Sequence, residues 1–334
     1  MSRKAFRIRI AVWAVLALAV LGGIMLIGIP GKSHKGPLPP LTPQQMTTAA
    51  ILEYHVRALA GIGPRSLASP DALEAAASYI ENTLAAMGYD YARQEFTVYK
   101  HRIRNISVEI PGDKDPDKIV IVGAHYDTVP GTPGADDNAS AVAGLLELAR
   151  EFKDAKPSLT LRFIFFTNEE PPFFKTSDMG SWHAAMESKA RGEDIQAMLC
   201  LESIGVYSDE PGSQAFPPPL GLFYPDTGNF IGFVSNLRSR RLLYKSIEVF
   251  RDTTAFPSEG LVAPLPITGT DWSDHWSYWQ AGFKAIMITD TALFRYDFYH
   301  TSLDTPDRLD YERTARVVGG IAKITESLAV KLAN

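Results

Sequence analysis

Between residues 118 and 201 short apolar runs alternate with longer amphipathic ones, and this alternation restricts the possible folds more than any other feature of the chain. Residues 118–122, 159–166 and 197–201 are dominated by Val, Ile, Leu and Phe and read as strands. Residues 138–152 and 180–190, lying between them, carry apolar positions at helical spacing. Helices joining successive strands are crossovers, so the pattern predicts a mixed, largely parallel central sheet sandwiched by helices, an α/β fold. The flanking sequence fits the same scheme. Helices are expected over 49–60 and 70–87, the second burying Leu73, Ala76, Ala77, Ile80 and Leu84 and stopped by Gly88. Further strands are expected over 106–110 and 284–288, with a closing helix over 310–332. In such sheets ligands bind beyond the carboxyl ends of the strands.

The N-terminus follows a different rule. Arg3, Lys4, Arg7 and Arg9 precede a run of twenty uncharged residues, 10–29. At about 1.5 Å per residue that run crosses the roughly 30 Å core of a bilayer. A cleaved signal peptide is the competing reading, but signal cores are shorter and end in a small-x-small site. Here the run passes into Pro30, Gly31 and Lys32 without one. The expectation is therefore a single-pass anchor, with the basic stub cytoplasmic and the rest extracytoplasmic (periplasmic or extracellular). Pro37, Pro39, Pro40 and Pro43 make residues 30–45 a semi-extended spacer holding the body off the membrane. The chain thus divides into 1–29, stub and anchor; 30–45, linker; and 46–334, the folded body. The first fifty residues hold six Lys or Arg and no acid, which leaves the body with 27 basic against 38 acidic residues. That balance excludes nucleic acid as the main partner. A single cysteine, Cys200, excludes a disulfide framework and a Cys-rich zinc site.

Residues with metal or acid–base chemistry fall at the predicted strand ends and in loops. His125 closes the 118–122 strand, with Asp127 two residues on and Asp137 just before a helix. Glu169 and Glu170 follow the 159–166 strand, Glu202 follows the 197–201 strand, and Tyr299 and His300 lie in a late loop. Taken singly, a helix-initiating Asp is a cap, paired glutamates are a solvated face, and a lone His is structural. Together they are nitrogen and carboxylate ligands without thiolate, a set suited to zinc and less tightly to manganese or cobalt.

Over residues 45–332 the sequence resembles the M28 family of zinc aminopeptidases. The motifs that carry the resemblance are Ile62-Gly63-Pro64-Arg65, His125-Tyr126-Asp127, Gly134-Ala135-Asp136-Asp137, Asn168-Glu169-Glu170, Ser273-Asp274-His275 and Tyr299-His300-Thr301. The resemblance implies the zinc-peptidase (phosphorylase/hydrolase-like) fold and hydrolysis of the N-terminal residue from peptides. It further implies two zinc ions per chain, bridged by Asp137, with His125 and Glu202 completing one site and Glu170 and His300 the other. Glu169 then looks like the general base, and Asp127 like the carboxylate that orients His125. The family often has Asp where Glu202 stands. Tyr299 is read either as a donor to the tetrahedral oxyanion or as an aromatic packing the loop, and Asp274 with His275 as a hydrogen-bonded pair supporting the pocket wall. Trp272, Trp276, Tyr278 and Trp279 are core or pocket lining. His34, His55, His101 and His183 are structural or surface. Residues 171–179 lengthen the segment after Glu170 and should border the pocket. Two other functions share these features: a glutaminyl-peptide cyclotransferase, similar in fold and working with one zinc, and a non-enzymatic binding ectodomain. The complete ligand set and the retained base favour hydrolysis.

Overall fold

A computed structural model describes Arg9, Trp13 and residues 28–218, 220–263 and 267–329. The apolar runs form the centre of an eight-stranded sheet. In chain order the elements are α1 (Pro43–Ile62), α2 (Pro70–Ala86), β1 (Ala92–Val98), β2 (His101–Ile110), β3 (Asp115–His125), α3 (Ala141–Phe152), β4 (Leu159–Phe166), α4 (Gly180–Ala190) and β5 (Asp194–Glu202). There follow β6 (Ile231–Asn236), α5 (Arg240–Thr253), β7 (Ser258–Ala263), α6 (His275–Ala281), β8 (Ala285–Thr289), α7 (Ala292–Arg295) and α8 (Tyr311–Ala329). The strands lie in the order β1-β2-β4-β3-β5-β8-β6-β7. β3 pairs in parallel with both β4 and β5, β5 with β8, and β6 with β7; the remaining pairs are antiparallel.

Side chains alternate across each strand, so a continuous apolar run must find cover on both faces. Val120 and Val122 of β3, with Phe163 and Phe165 of β4, enter the larger core with α1, α2, α3, α5 and α8. Their neighbours Ile119, Ile121, Ile164 and Phe166 face the smaller core with α4 and α6. The chain leaves β3 through α3 to β4 on one side, then passes through α4 to β5 on the other. The carboxyl end of β3 is therefore a topological switch point, where a crevice opens.

The expected termination at Gly88 is present: at φ 79° it donates to the Ala85 carbonyl while Tyr89 donates to that of Leu84, a pairing that closes α2. Two expectations change. The helix expected from residue 138 starts at Ala141, because Asp137 and Asn138 have non-helical dihedrals. The stretch over 30–45 is docked on the body, so it does not act as a free spacer. Thr42 caps α1 in a reciprocal pairing with Gln45, and the carbonyls of Pro30 and Pro39 accept from Arg251 and Arg316. The residue 10–29 anchor falls outside the described residues apart from Trp13, Gly28 and Ile29, and no helix among the described residues is long and apolar enough to cross a membrane.

Candidate metal centre

Three parallel strands deliver the site. His125 is the last residue of β3, Glu202 the last of β5, and β4 ends three residues before Glu169. Asn168 then adopts φ 63°, a left-handed conformation that Asn tolerates, and this turn brings Glu169 and Glu170 to one side of the chain. Asp137 lies in the irregular turn Ala135–Ser140 ahead of α3, and His300, at φ 58°, comes from the loop before α8.

These residues converge. The Asp137 carboxylate divides its two oxygens: Oδ1 lies 3.4 Å from His125 Nε2 and Oδ2 lies 3.0 Å from His300 Nε2. Glu202 Oε2 is 3.2 Å from His125 Nε2, and Glu170 Oε2 is 3.3 Å from His300 Nε2. Two triads result, His125–Asp137–Glu202 and Asp137–Glu170–His300, each compact enough to hold a metal ion and sharing one carboxylate. Glu169 belongs to neither, with its Oε2 3.9 Å from His125 Nε2.

The residues fit a cation. His125 Nε2, His300 Nε2, Asp137 Oδ1 and Glu170 Oε1 are buried with no hydrogen-bond partner among the described residues, a costly state for groups that a metal would satisfy. Charge tells the same story. Burial, together with Asp137, pushes the Glu170 carboxyl up to about 8, and burial with Glu170 and Glu202 pushes Glu169 well above the carboxylate range. Burial acts to lower His300, but the adjacent carboxylates of Asp137 and Glu170 prevail and raise it to about 10. For Asp137 burial is overcome by the two imidazoles, which hold it well below the usual carboxylate range. Crowded buried carboxylates of this kind are a surplus of negative charge that a divalent cation relieves.

Supporting groups fix the ligands. Asp127 lies with Oδ1 3.5 Å from His125 Nδ1, and its two oxygens accept the backbone N–H groups of Glu169 and Glu170, each at 3.1 Å. The Asp127 backbone carbonyl, 3.2 Å from His125 Nδ1, is the hydrogen-bond partner of the imidazole, and the carboxylate beside it clamps the Glu-Glu turn. Arg65, fully buried, donates to the carbonyls of Leu59, Tyr126, Pro133 and Gly134, tying the loops after β3 to α1. Gly134 sits at φ 59°, where a Cβ would fall 2.3 Å from Thr128 Cγ2 and 2.4 Å from the Asp137 carbonyl oxygen.

Several supporting residues escaped the sequence reading. Asp304, four residues after His300, accepts the N–H groups of Asp136 and Asp137 at 2.9 and 3.2 Å. Asn138 bridges β5 by donating to the Leu201 carbonyl and accepting from Ser203 N–H. Ser273 donates to Glu202 Oε2 at 2.6 Å. His275 turns Nε2 to the Thr270 carbonyl at 3.0 Å, so the expected Asp274–His275 pair gives way to Ser273 as the residue that touches the ligands. Only the motif itself signalled Ser273; Asp304 had no signal beyond its place in the His300 loop.

Tyr299 stacks on the His300 ring at 3.8 Å. It and Glu202 border an open apolar cavity whose walls include Phe216, Leu220, Met287 and Trp272. The 171–179 segment reaches the wall: Phe174 meets Trp272 edge-on at 6.0 Å, and Lys175 pairs with Asp271 at 2.6 Å. Tyr278 is core, Trp276 stacks on Trp182, and Trp279 donates to the Ala285 carbonyl. His55 bonds Tyr79 and His183 stacks on Phe96, both away from the site.

A mixed α/β sheet that gathers nitrogen and carboxylate ligands at the carboxyl ends of its central strands is the architecture of a metal-binding α/β protein. The sequence profile of Peptidase family M28 matches residues 105–325, and the chain belongs to that family. It is 36% identical to the uncharacterized protein YfbL of Escherichia coli (strain K12) over 292 residues, 84% of this chain and 88% of that one. In fold it is similar to BSAP, a zinc aminopeptidase from Bacillus subtilis, with a TM-score of 0.67 at 16% identity, covering 86% of this chain and 96% of that one. A glutaminyl cyclase from Fimbriiglobus ruber is similar at a TM-score of 0.63 and 19% identity, covering 88% and 97%.

Proposed function

We propose that the protein is a membrane-anchored aminopeptidase that removes the N-terminal residue of peptides at a site holding two zinc ions. The observation that carries this reading is Asp137, whose two oxygens face the imidazoles of two separate triads. His125, Asp137 and Glu202 would hold one ion, and Asp137, Glu170 and His300 the other. Bound there, the cations acidify water and polarise the scissile carbonyl.

The remaining steps belong to the chain. Glu169, outside both triads, takes the proton of the attacking water on a carboxylate oxygen and passes it to the leaving amine nitrogen. Its backbone N–H bond to Asp127 holds it in place. Burial, reinforced by Asp137 and Glu170, raises the Tyr299 phenol well above its usual range, so it keeps its proton and can donate to the developing oxyanion. The apolar cavity receives the side chain of the terminal residue.

The polarity of the substrate follows from charge. Among the described residues lining the cavity there is no Lys or Arg to meet a terminal carboxylate, while Glu259, outside both triads, lines it and would attract a free ammonium group. Cyclotransfer is the second reading, favoured by the glutaminyl cyclase likeness; the second complete triad argues for hydrolysis. The apolar run 10–29, with its basic flank, supports a body outside the cytoplasm.

The test compares leucyl-p-nitroanilide with its N-acetyl derivative and with a peptide bearing N-terminal Gln, using zinc-loaded full chain in detergent. Cleavage of the free-amine substrate alone is expected. Equal cleavage of the acetylated substrate would overturn the aminopeptidase reading, and ammonia with pyroglutamate in place of hydrolysis would establish the cyclase.

A further inference from the structure

Residues 29–33 tie the end of the apolar run to one strand edge. Ile29 lies over Gly260 of β7, its Cγ2 3.0 Å from where a Cβ would stand. Arg251 donates to the carbonyls of Pro30 and Gly31, and Ser33 Oγ accepts the backbone N–H of Ser258 at 2.9 Å. Because Ile29 is docked on β7, the part of the run that crosses a core of roughly 30 Å ends before it, and little slack separates the membrane from β7.

Register shows which end of the sheet this is. Glu202 pairs with Thr289, Thr289 with Gly232, and Gly232 with Glu259, forming one row across β5, β8, β6 and β7. Ser258 is the next residue along β7, so the docked segment lies at the end of the sheet that carries the metal ligands.

The same strand supports the cavity wall. Tyr224 donates its hydroxyl to the Gly260 carbonyl at 2.7 Å, anchoring the 216–224 loop, which supplies Phe216 and Leu220 to the cavity. In this loop Leu222 and Phe223 are 82% and 51% exposed. Trp272 and Leu293, which also line the cavity, are 40% and 39% exposed. Scattered apolar side chains on a surface need no explanation, but Trp272 and Leu293 line this cavity, and Leu222 and Phe223 stand in the chain between the lining residues Leu220 and Tyr224. Lys32 and Lys35 follow the run directly and suit phosphate headgroups on an otherwise acidic body.

We infer that the mouth of the apolar cavity rests on the lipid surface, with Leu222 and Phe223 inserted at the headgroup–acyl boundary, at the same end of the sheet as the segment that leads out of the bilayer. Peptides with apolar ends that partition into the interface then reach the cavity without crossing open solvent. The inference rests on the proposed anchor, and its test separates the two.

Cys200 is buried, so a thiol introduced at Leu222→Cys or Phe223→Cys takes an environment-sensitive fluorophore selectively. The full chain is reconstituted in vesicles of phosphatidylcholine and phosphatidylglycerol with and without a lipid carrying a nitroxide near the headgroup. Lys189→Cys, exposed at the far end of α4, is the reference. Retained peptide hydrolysis verifies that each labelled protein is folded. Blue-shifted emission and loss of most of the signal to the nitroxide at 222 and 223, with none at 189, is the expected result. Vesicle-bound protein with unquenched labels at 222 and 223 overturns the membrane contact alone. Unquenched labels that cross-link between chains overturn it in favour of a second copy on this face. Protein that fails to float with vesicles overturns the anchor, and the contact with it.

Discussion

Glu169 and Glu170 are adjacent, chemically alike and both buried, yet their loss should have different consequences. Glu169→Gln keeps the side-chain volume and the backbone bond to Asp127 and touches neither triad. Only a proton-accepting oxygen disappears. A positioned general base contributes about 10²–10⁴-fold, so kcat should fall by that factor, or about 2.7–5.5 kcal/mol in the barrier, with KM and zinc content unchanged. Glu170→Ala removes the carboxylate 3.3 Å from His300 Nε2. Losing a group that merely orients a ligand costs about 10–100-fold in metal affinity, and losing the ligand itself should cost more. The assay measures zinc by elemental analysis after dialysis against a chelator buffer, alongside kcat and KM on leucyl-p-nitroanilide, for both variants. Wild-type turnover by Glu169→Gln would refute its role as base even with both metals bound. Parallel loss of zinc in the two variants would refute the division of labour between them.

Asp137→Ala should empty both sites, whereas His300→Ala should weaken one, which titration with zinc under competition by a chromophoric chelator resolves. The metal-free protein should lose stability as pH rises: the folded Glu170 carboxyl titrates at about 8 and the His300 imidazole at about 10, against roughly 4.3 and 6.5 in the unfolded chain, so the native state holds more protons across that span. Zinc binding requires those protons to leave, so the gap in Tm between zinc-loaded and metal-free protein should widen from pH 5 to 8; a constant gap would count against these ligands. Arg65→Lys cannot reproduce four bonds to carbonyls from a planar fork and should destabilise by about 3–5 kcal/mol, read from the urea midpoint of zinc-loaded protein. A chain starting at residue 46 lacks the Thr42 cap and should be less stable than one starting at 28 by at least about 1 kcal/mol; equal midpoints would show that the docked segment contributes nothing.

Local pattern carried much of the architecture. The apolar runs of β3, β4 and β5 are continuous because both faces of a central parallel strand are covered, and that pattern needs no tertiary information. Helix periodicity likewise marked α2, down to its stop at Gly88. α5 was equally legible, with Leu242, Leu243, Ile247 and Phe250 at helical spacing, although it was not read in advance. β1 was not legible, because an edge strand of alternating polar residues, Ala92–Val98, has the look of a loop. The six residues from His125 to Glu202 with metal or acid–base chemistry stood out because strand ends are where such folds bind ligands.

Sequence alone determined which residues could bind metal, since chemistry resides in side-chain identity, and family resemblance arranged them into roles. Tertiary structure decided which atoms meet. Asp137 faces two imidazoles only because a non-helical turn delays α3 and Asp304, 167 residues away, clamps its backbone. Ser273 reaches Glu202 from 71 residues away, and the proline-rich stretch after the apolar run lies against β7 and α8 where composition suggested a semi-extended spacer. Spacing along a chain reports on local periodicity, whereas these contacts depend on how distant segments pack, and no local pattern encodes that distance.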